Sequence, residues 1–106
     1  MIVEAIKEKK GEEIVVINLI NIIYSPCSFF VICTARSQTQ INAITDNIEK
    51  VLKEILNLII WKKEGKNSNW QILDYVDIVV HVFKEETREY YNLEELWGDG
   101  KIEKIN

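Results

Sequence analysis

Apolar positions along this chain recur at two alternating periods. Ile41, Ile44, Ile48, Val51, Leu52, Ile55 and Leu56 return every three or four residues, the spacing of one face of an α-helix. Asp46, Asn47, Glu49, Lys50, Lys53 and Glu54 fill the opposite face, so the stripe is expected to lie on a sheet. Ser37, with Gln40 three residues on, forms a capping-box pair at the helix start. Residues 28–34 are a near-continuous apolar run, as expected of a central strand covered on both faces. Residues 13–19 are rich in β-branched side chains and read as a strand. Residues 1–10 read as a short helix with Ile2, Val3 and Ile6 on one side. Residues 59–63 predict a short strand, and 64–69 a loop.

The densest chemistry follows. Residues 70–74 and 77–83 read as an antiparallel pair. With Tyr75 and Val76 as the turn, Asp74 faces Asp77, Ile72 faces Val79 and Trp70 faces His81. One sheet face then carries Trp70, Asp74, Asp77, His81 and Phe83, and the other Leu73, Ile78, Val80 and Val82. Val76 suits the positive φ of a tight turn poorly, which favours a looser connection. Residues 85–97 predict a helix broken near Asn92 and stopped by Gly98, and residues 101–105 an edge strand. The expected fold is an α/β or α+β sandwich, a mixed β-sheet flanked by helices, forming one domain over residues 1–106.

Composition sets outer bounds on function. With 47% hydrophobic and 28% charged residues, the chain is of ordinary globular type. No apolar run approaches the roughly 20 residues that span a bilayer, and the charged N-terminus lacks a signal-peptide core. A cytosolic protein is expected. Cys27 and Cys33 lack metal-ligand spacing and are expected to stay reduced. Net charge is −4 but unevenly spread. Residues 74–99 hold eight acidic groups against Lys84 and Arg88, a net of −6. Such a stretch repels phosphate, so direct nucleic-acid binding through it is not expected, whereas a basic protein suits it. As a plain solvated face it would do nothing.

Asp74, Asp77 and His81 raise the question of an acid–base or metal site. The chain has no second His, no glycine-rich phosphate loop and no nucleophile elbow. Two Asp at a hairpin end are ordinarily solvated turn residues. A lone strand His beside a Trp ordinarily packs and hydrogen-bonds. No enzymatic activity, cofactor or metal is expected.

Several segments together resemble the ribosomal silencing factor family, also called RsfS or Iojap-like, over about residues 11–104. These are Phe30-Val-Ile-Cys-Thr34 followed by Ser37 and the helix, Glu64-Gly65 with Trp70 soon after, Asp74-Tyr-x-Asp77-x-Val-Val-His81-Val-Phe83, and Arg88-x-Tyr-Tyr91-x-Leu-Glu94-x-Leu-Trp97. The resemblance implies a nucleotidyltransferase-like fold without that superfamily's catalytic carboxylates. It implies binding to large-subunit ribosomal protein fourteen on the large ribosomal subunit, which sterically blocks subunit association and represses translation, with homodimers in some members; an enzyme of nucleotidyltransferase type and a non-ribosomal dimeric adaptor are the alternatives. Ser28, Ala35, Val76 and Ile17-Asn18-Leu19 depart from the family pattern. The expected partner-binding residues are Trp70, Asp74, Tyr75, Asp77, His81, Arg88, Tyr91, Glu94 and Trp97. Among them, Arg88 is expected to pair with Asp74, Asp77 or Glu94. Trp70 and Trp97 read equally as core or contact. Tyr90 and Tyr91 point about 100° apart on a helix, so that one packs while the other faces out. Asp77 is the acidic residue expected to meet a basic group of the partner.

Overall fold

The computed structural model describes residues 1–105. The elements are α1 (Ile2–Glu8), β1 (Glu12–Asn18), β2 (Phe29–Ala35), α2 (Gln38–Leu56), β3 (Lys62–Glu64), β4 (Trp70–Asp74), β5 (Ile78–Lys84), α3 (Glu85–Tyr91), α4 (Leu93–Leu96) and β6 (Lys101–Ile105). They form one six-stranded sheet in the order β3-β4-β5-β2-β1-β6. β2 and β5 pair in parallel and the other neighbours are antiparallel. This is the mixed, helix-flanked α+β sheet expected from the pattern. The apolar run of β2 takes a central place, with Phe30 to Ala35 buried.

Strand periodicity divides the core in two. Ile14, Val31, Cys33, Ala35, Leu73, Val80 and Val82 meet α1 and α2 on one face. Val15, Ile17, Phe30, Ile32, Val79 and Phe83 lie on the other, with Leu93. α2 brings Ile41, Ile44, Ile48 and Leu52 into full or nearly full burial, each stabilising by about 1.5–3 kcal/mol relative to exposure. Gln71 is the polar residue under that helix. Its amide is satisfied by Thr45 Oγ1, which donates to Oε1 at 3.0 Å, and by Asn42 Oδ1, which accepts from Nε2 at 2.6 Å. Ser37 caps α2 by accepting from Gln40 N at 3.1 Å. The Gln40 side chain reaches back to Arg36 N (2.8 Å), one residue earlier than a capping box requires.

Two expectations need correcting. The β4–β5 register pairs Trp70 with Phe83, Ile72 with His81 and Asp74 with Val79, so Trp70 does not stand opposite His81, nor Ile72 opposite Val79, nor Asp74 opposite Asp77. The slip is two residues, which preserves every face assignment along the strands but moves Asp77 off the sheet and into the turn. The second correction concerns the short strand, which begins at Lys62 rather than Ile59. Residues 58–61 instead follow the left-handed Asn57 cap as irregular chain.

The turn itself is tight. Tyr75 N donates to Ile78 O (2.9 Å), and Asp77 N donates to Tyr75 O (3.0 Å) across Val76, whose φ is +75°. That is a γ-turn of the rare, strained kind, centred on a β-branched residue. Asp74 Oδ1 holds it by accepting from Val76 N at 2.8 Å, and Asp77 O accepts from Ser28 N and Phe29 N. Replacing Val76 by Gly removes the Cβ clash of a positive φ, and the variant is expected to gain about 1 kcal/mol in denaturant unfolding. A loss of stability in Val76→Gly would mean that the apolar side chain contributes more than its backbone costs.

Candidate functional site

The face opposite α2 is an aromatic layer roofed by α3 and α4. Trp70 stacks on Phe83 at a centroid distance of 4.8 Å and meets Tyr91 at 4.6 Å. Its Nε1–H donates to His81 Nδ1 at 3.1 Å. His81 lies edge-on to Phe30 (4.8 Å), Phe30 edge-on to Trp97 (5.7 Å), and Trp97 stacks on Tyr24 (5.8 Å). A continuous aromatic path therefore crosses the sheet from the β4 side to the turn after β1. Tyr90 and Tyr91, neighbours on α3, stand edge-to-face at 5.0 Å and are both exposed.

His81 is 6% exposed and has no charged partner among the described residues; burial pushes its pKa down to about 4. Because Nδ1 accepts from Trp70, the neutral ring carries its proton on Nε2, a buried atom without a partner. His81 is thus an acceptor that fixes the Trp70 indole, and among the described residues no cluster of His, Cys, Asp or Glu is placed to hold a metal ion.

Arg88 is also interior, at 8% exposed. Its Nε and Nη2 donate to the two carboxylate oxygens of Glu94 at 3.2 and 3.1 Å. Nη1 donates to Glu13 O at 2.6 Å and Thr34 Oγ1 at 2.8 Å. Of the three partners expected for Arg88, Glu94 is the one it takes. Neither Asp74 nor Asp77 is held by it. Tyr75 stands apart from the group. It is buried on the α2 face with its hydroxyl unpartnered, and burial, reinforced by Glu49, raises its pKa to about 12.

Of the nine residues singled out from sequence, the structure gathers Trp70, His81, Tyr91 and Trp97 in the aromatic layer, and Arg88 with Glu94 at its base. Asp74 and Asp77 sit at the hairpin tip, with Asp77 exposed. The acidic stretch is not one surface. Asp77 precedes β5 and Glu85 follows it, which places them about 25 Å apart, eight residue steps along the strand. Glu85, Glu86 and Glu89 line a cleft of about 540 Å³ with Glu12, Arg36 and Lys84 at that far end. There Arg36 grips Glu12 in a bidentate pair at 2.7 and 3.2 Å. Sequence reasoning missed Tyr24, whose hydroxyl donates to Asp99 Oδ2 at 3.3 Å. Its signal was the exposed-type apolar cluster Ile20, Ile22, Ile23 and Tyr24 beside Pro26.

A comparison with known proteins assigns the family. The family model described as "Ribosomal silencing factor during starvation" matches residues 1–106. The chain belongs to the ribosomal silencing factor family. It is 41% identical over 98 residues to a ribosomal silencing factor of Halalkalibacterium halodurans, covering 92% of this chain and 82% of the relative. A Bacillus subtilis ribosomal silencing factor is 35% identical over 99 residues, with 92% and 82% covered. The crystal structure of a Chromobacterium violaceum protein superposes with a TM-score of 0.86 at 30% identity, covering 92% of this chain and 81% of that one. Like the sheet, this family assignment agrees with the expectation from the motifs. No described helix is long and apolar enough to cross a membrane.

Two predictions follow from how this silencing-factor face is built. The folded pKa of His81 lies below its unfolded value of about 6.5, so the unfolded chain takes up the proton first. The contribution is intact above about pH 6.5, is lost progressively down to about pH 4, and amounts to roughly 3 kcal/mol at the acid end. Stability measured against pH should show this extra slope, and His81→Gln, which keeps an acceptor for Trp70, should flatten it. An unchanged slope in that variant would assign the acid sensitivity to other groups. Arg88→Met should cost about 3 kcal/mol in denaturant unfolding, because it strips three elements of a shared donor and leaves Glu94 unpaired. A cost under about 1 kcal/mol would show that water substitutes for the guanidinium.

Proposed function

We propose that the chain acts by occupation rather than catalysis: it binds large-subunit ribosomal protein fourteen on the large ribosomal subunit, sterically blocks subunit association in the cytoplasm and so represses translation. The observation that carries the reading is the exposed Asp77 tip beside a preformed aromatic face whose buried polar groups find partners within the described residues except at His81 Nε2. Rigid aromatics next to unpaired carboxylates suit a basic protein surface, since ring faces and carboxylates both favour Lys and Arg. Family membership supports the ribosomal part of the reading, because relatives of this length carry the name of silencing factors.

Pairing of two copies is a second part of the proposal. Ile55, Leu58, Ile59 and Trp61 are exposed together around the end of α2. Lys53, Glu54, Lys62 and Glu64 beside them supply both charge signs, as a self-complementary contact requires.

Co-sedimentation with separated ribosomal subunits tests the main reading. Recovery with the large subunit, and suppression of whole-ribosome formation without nucleotide consumption, are expected. Recovery with small subunits alone, or with neither, contradicts it. Within that assay, Asp77→Lys should weaken binding by roughly 2 kcal/mol or more, with an unchanged melting profile because Asp77 makes no side-chain ion pair among the described residues. Glu85→Lys, at the far end of β5, should cost less than about 1 kcal/mol. Wild-type binding by a normally folded Asp77→Lys protein would remove the tip from the interface.

A further inference from the structure

The connection between β1 and β2 is unusual for a surface turn. Leu19 is fully buried and Ile22 packs inward, yet Ile20, Ile23 and Tyr24 are 60%, 100% and 70% exposed. A segment that merely joined two strands would ordinarily place polar residues at such positions. This one is built to hold its apolar side chains outward. Ile22 N donates to Leu19 O (3.0 Å) and Ser25 N to Ile22 O (3.2 Å), making two successive turns. Asn18 Oδ1 accepts from Ile20 N (3.0 Å), and Ser25 Oγ donates to Leu19 O (3.2 Å). The Tyr24 ring is fixed from both ends, by stacking on Trp97 and by its hydrogen bond to Asp99.

We infer that residues 20–24 form a hydrophobic docking element, which seats an aliphatic side chain of a basic ribosomal protein surface beside the carboxylates of Asp77 and Asp99. The inference rests on the large-subunit reading above and extends it to a segment outside the family motifs. Placement supports it. β1 ends at Asn18, opposite Lys101 at the start of β6, and the Asp77 carbonyl accepts from Ser28 N and Phe29 N where the same connection enters β2. The turn, the hairpin tip and the Trp97–Asp99 corner therefore share one end of the sheet. Asp74, Asp77 and Asp99 stand against Lys101 there, and Lys62, opposite Asp74 on β3, is paired with Glu64 at 3.0 Å, so that end is acidic, which disfavours lipid phosphate or RNA as the occupant and favours a basic protein. Exposed apolar side chains on a braced turn lose little conformational freedom on binding, so their burial translates into affinity.

The test is a binding titration of the full chain, wild type and variants, against purified large subunits. Ile23 and Tyr24 are exposed, so the protein with Ile23→Ser and Tyr24→Ser should still fold, its unfolding midpoint lowered only by the lost Tyr24–Trp97 stacking and Tyr24–Asp99 hydrogen bond. Its affinity should fall by about tenfold or more. Because the contact is apolar, the loss should persist when salt is raised, unlike the loss in Asp77→Lys, which screening diminishes. Ile23→Val should bind as wild type. Wild-type affinity in the double variant, with Asp77→Lys still impaired, overturns this inference while leaving the large-subunit reading standing. Impairment by Trp61→Ser in place of the double variant moves the apolar contact to the α2 side of the hairpin tip and overturns it too. Failure of the wild-type chain to bind large subunits overturns both.

Discussion

The Arg88 guanidinium is the constraint on which the putting-together of this molecule depends. One planar group joins α3 to α4 through Glu94, to β1 through Glu13 O and to β2 through Thr34. The Glu13 contact is made where β1 shifts register between Glu12 and Val15 and Glu13 itself has a φ of +48°. The bulge turns a carbonyl out of the ladder, and the arginine receives it. Without that donor the carbonyl, the hydroxyl and the carboxylate would compete for water at a nearly closed site. With it, the short helices α3 and α4, neither long enough to be stable alone, are held across the aromatic layer.

That layer explains why the helices matter for function. Leu93 and Trp97 close one side of it and Tyr91 the other, so the roof sets how Trp70, His81 and Phe30 are covered. His81 works as a neutral acceptor within the stack, and its tautomer follows from the Trp70 bond. The surface offered outward is consequently rigid. Its exposed aromatics are held by ring contacts, and its exposed carboxylates sit on turns fixed by backbone hydrogen bonds. A preorganised surface of this kind loses little entropy on binding, as the proposed action by occupation requires.

Much of this could be read from residue patterns. The helix 41–56 stripe, the buried β2 run, the Asn92 break and the β6 edge strand all appear where periodicity and capping place them, because each depends on local spacing. The hairpin register was not legible. Val76 argues by propensity against a tight turn, and the structure adopts one because Asp74, Ser28 and Phe29 supply bonds from outside the turn. The strand expected at 59–63 starts late, at Lys62, for a related reason: Leu58, Ile59 and Trp61 are apolar but exposed, so hydrophobicity there marks surface and not sheet. The site was legible as residue types and not as a surface. Sequence adjacency suggested one acidic face, whereas β5 carries Asp77 and Glu85 to opposite ends. Tyr24 joins Trp97 from 73 positions away, a contact that no local pattern announces.

The end of the sheet bearing Asp77 and the Tyr24–Trp97 pair is the part proposed to meet the large ribosomal subunit. Oxidative side-chain footprinting of the chain, free and bound to purified large subunits, addresses it most directly, because it reports many positions in the unmodified sequence. Ile23, Tyr24, Val76 and Trp97 should be protected on binding, with Ile59 and Trp61 still oxidised as in the free chain under conditions where it is monomeric. Protection confined to Ile55–Trp61, or to the cleft around Glu85 and Glu89, would contradict it.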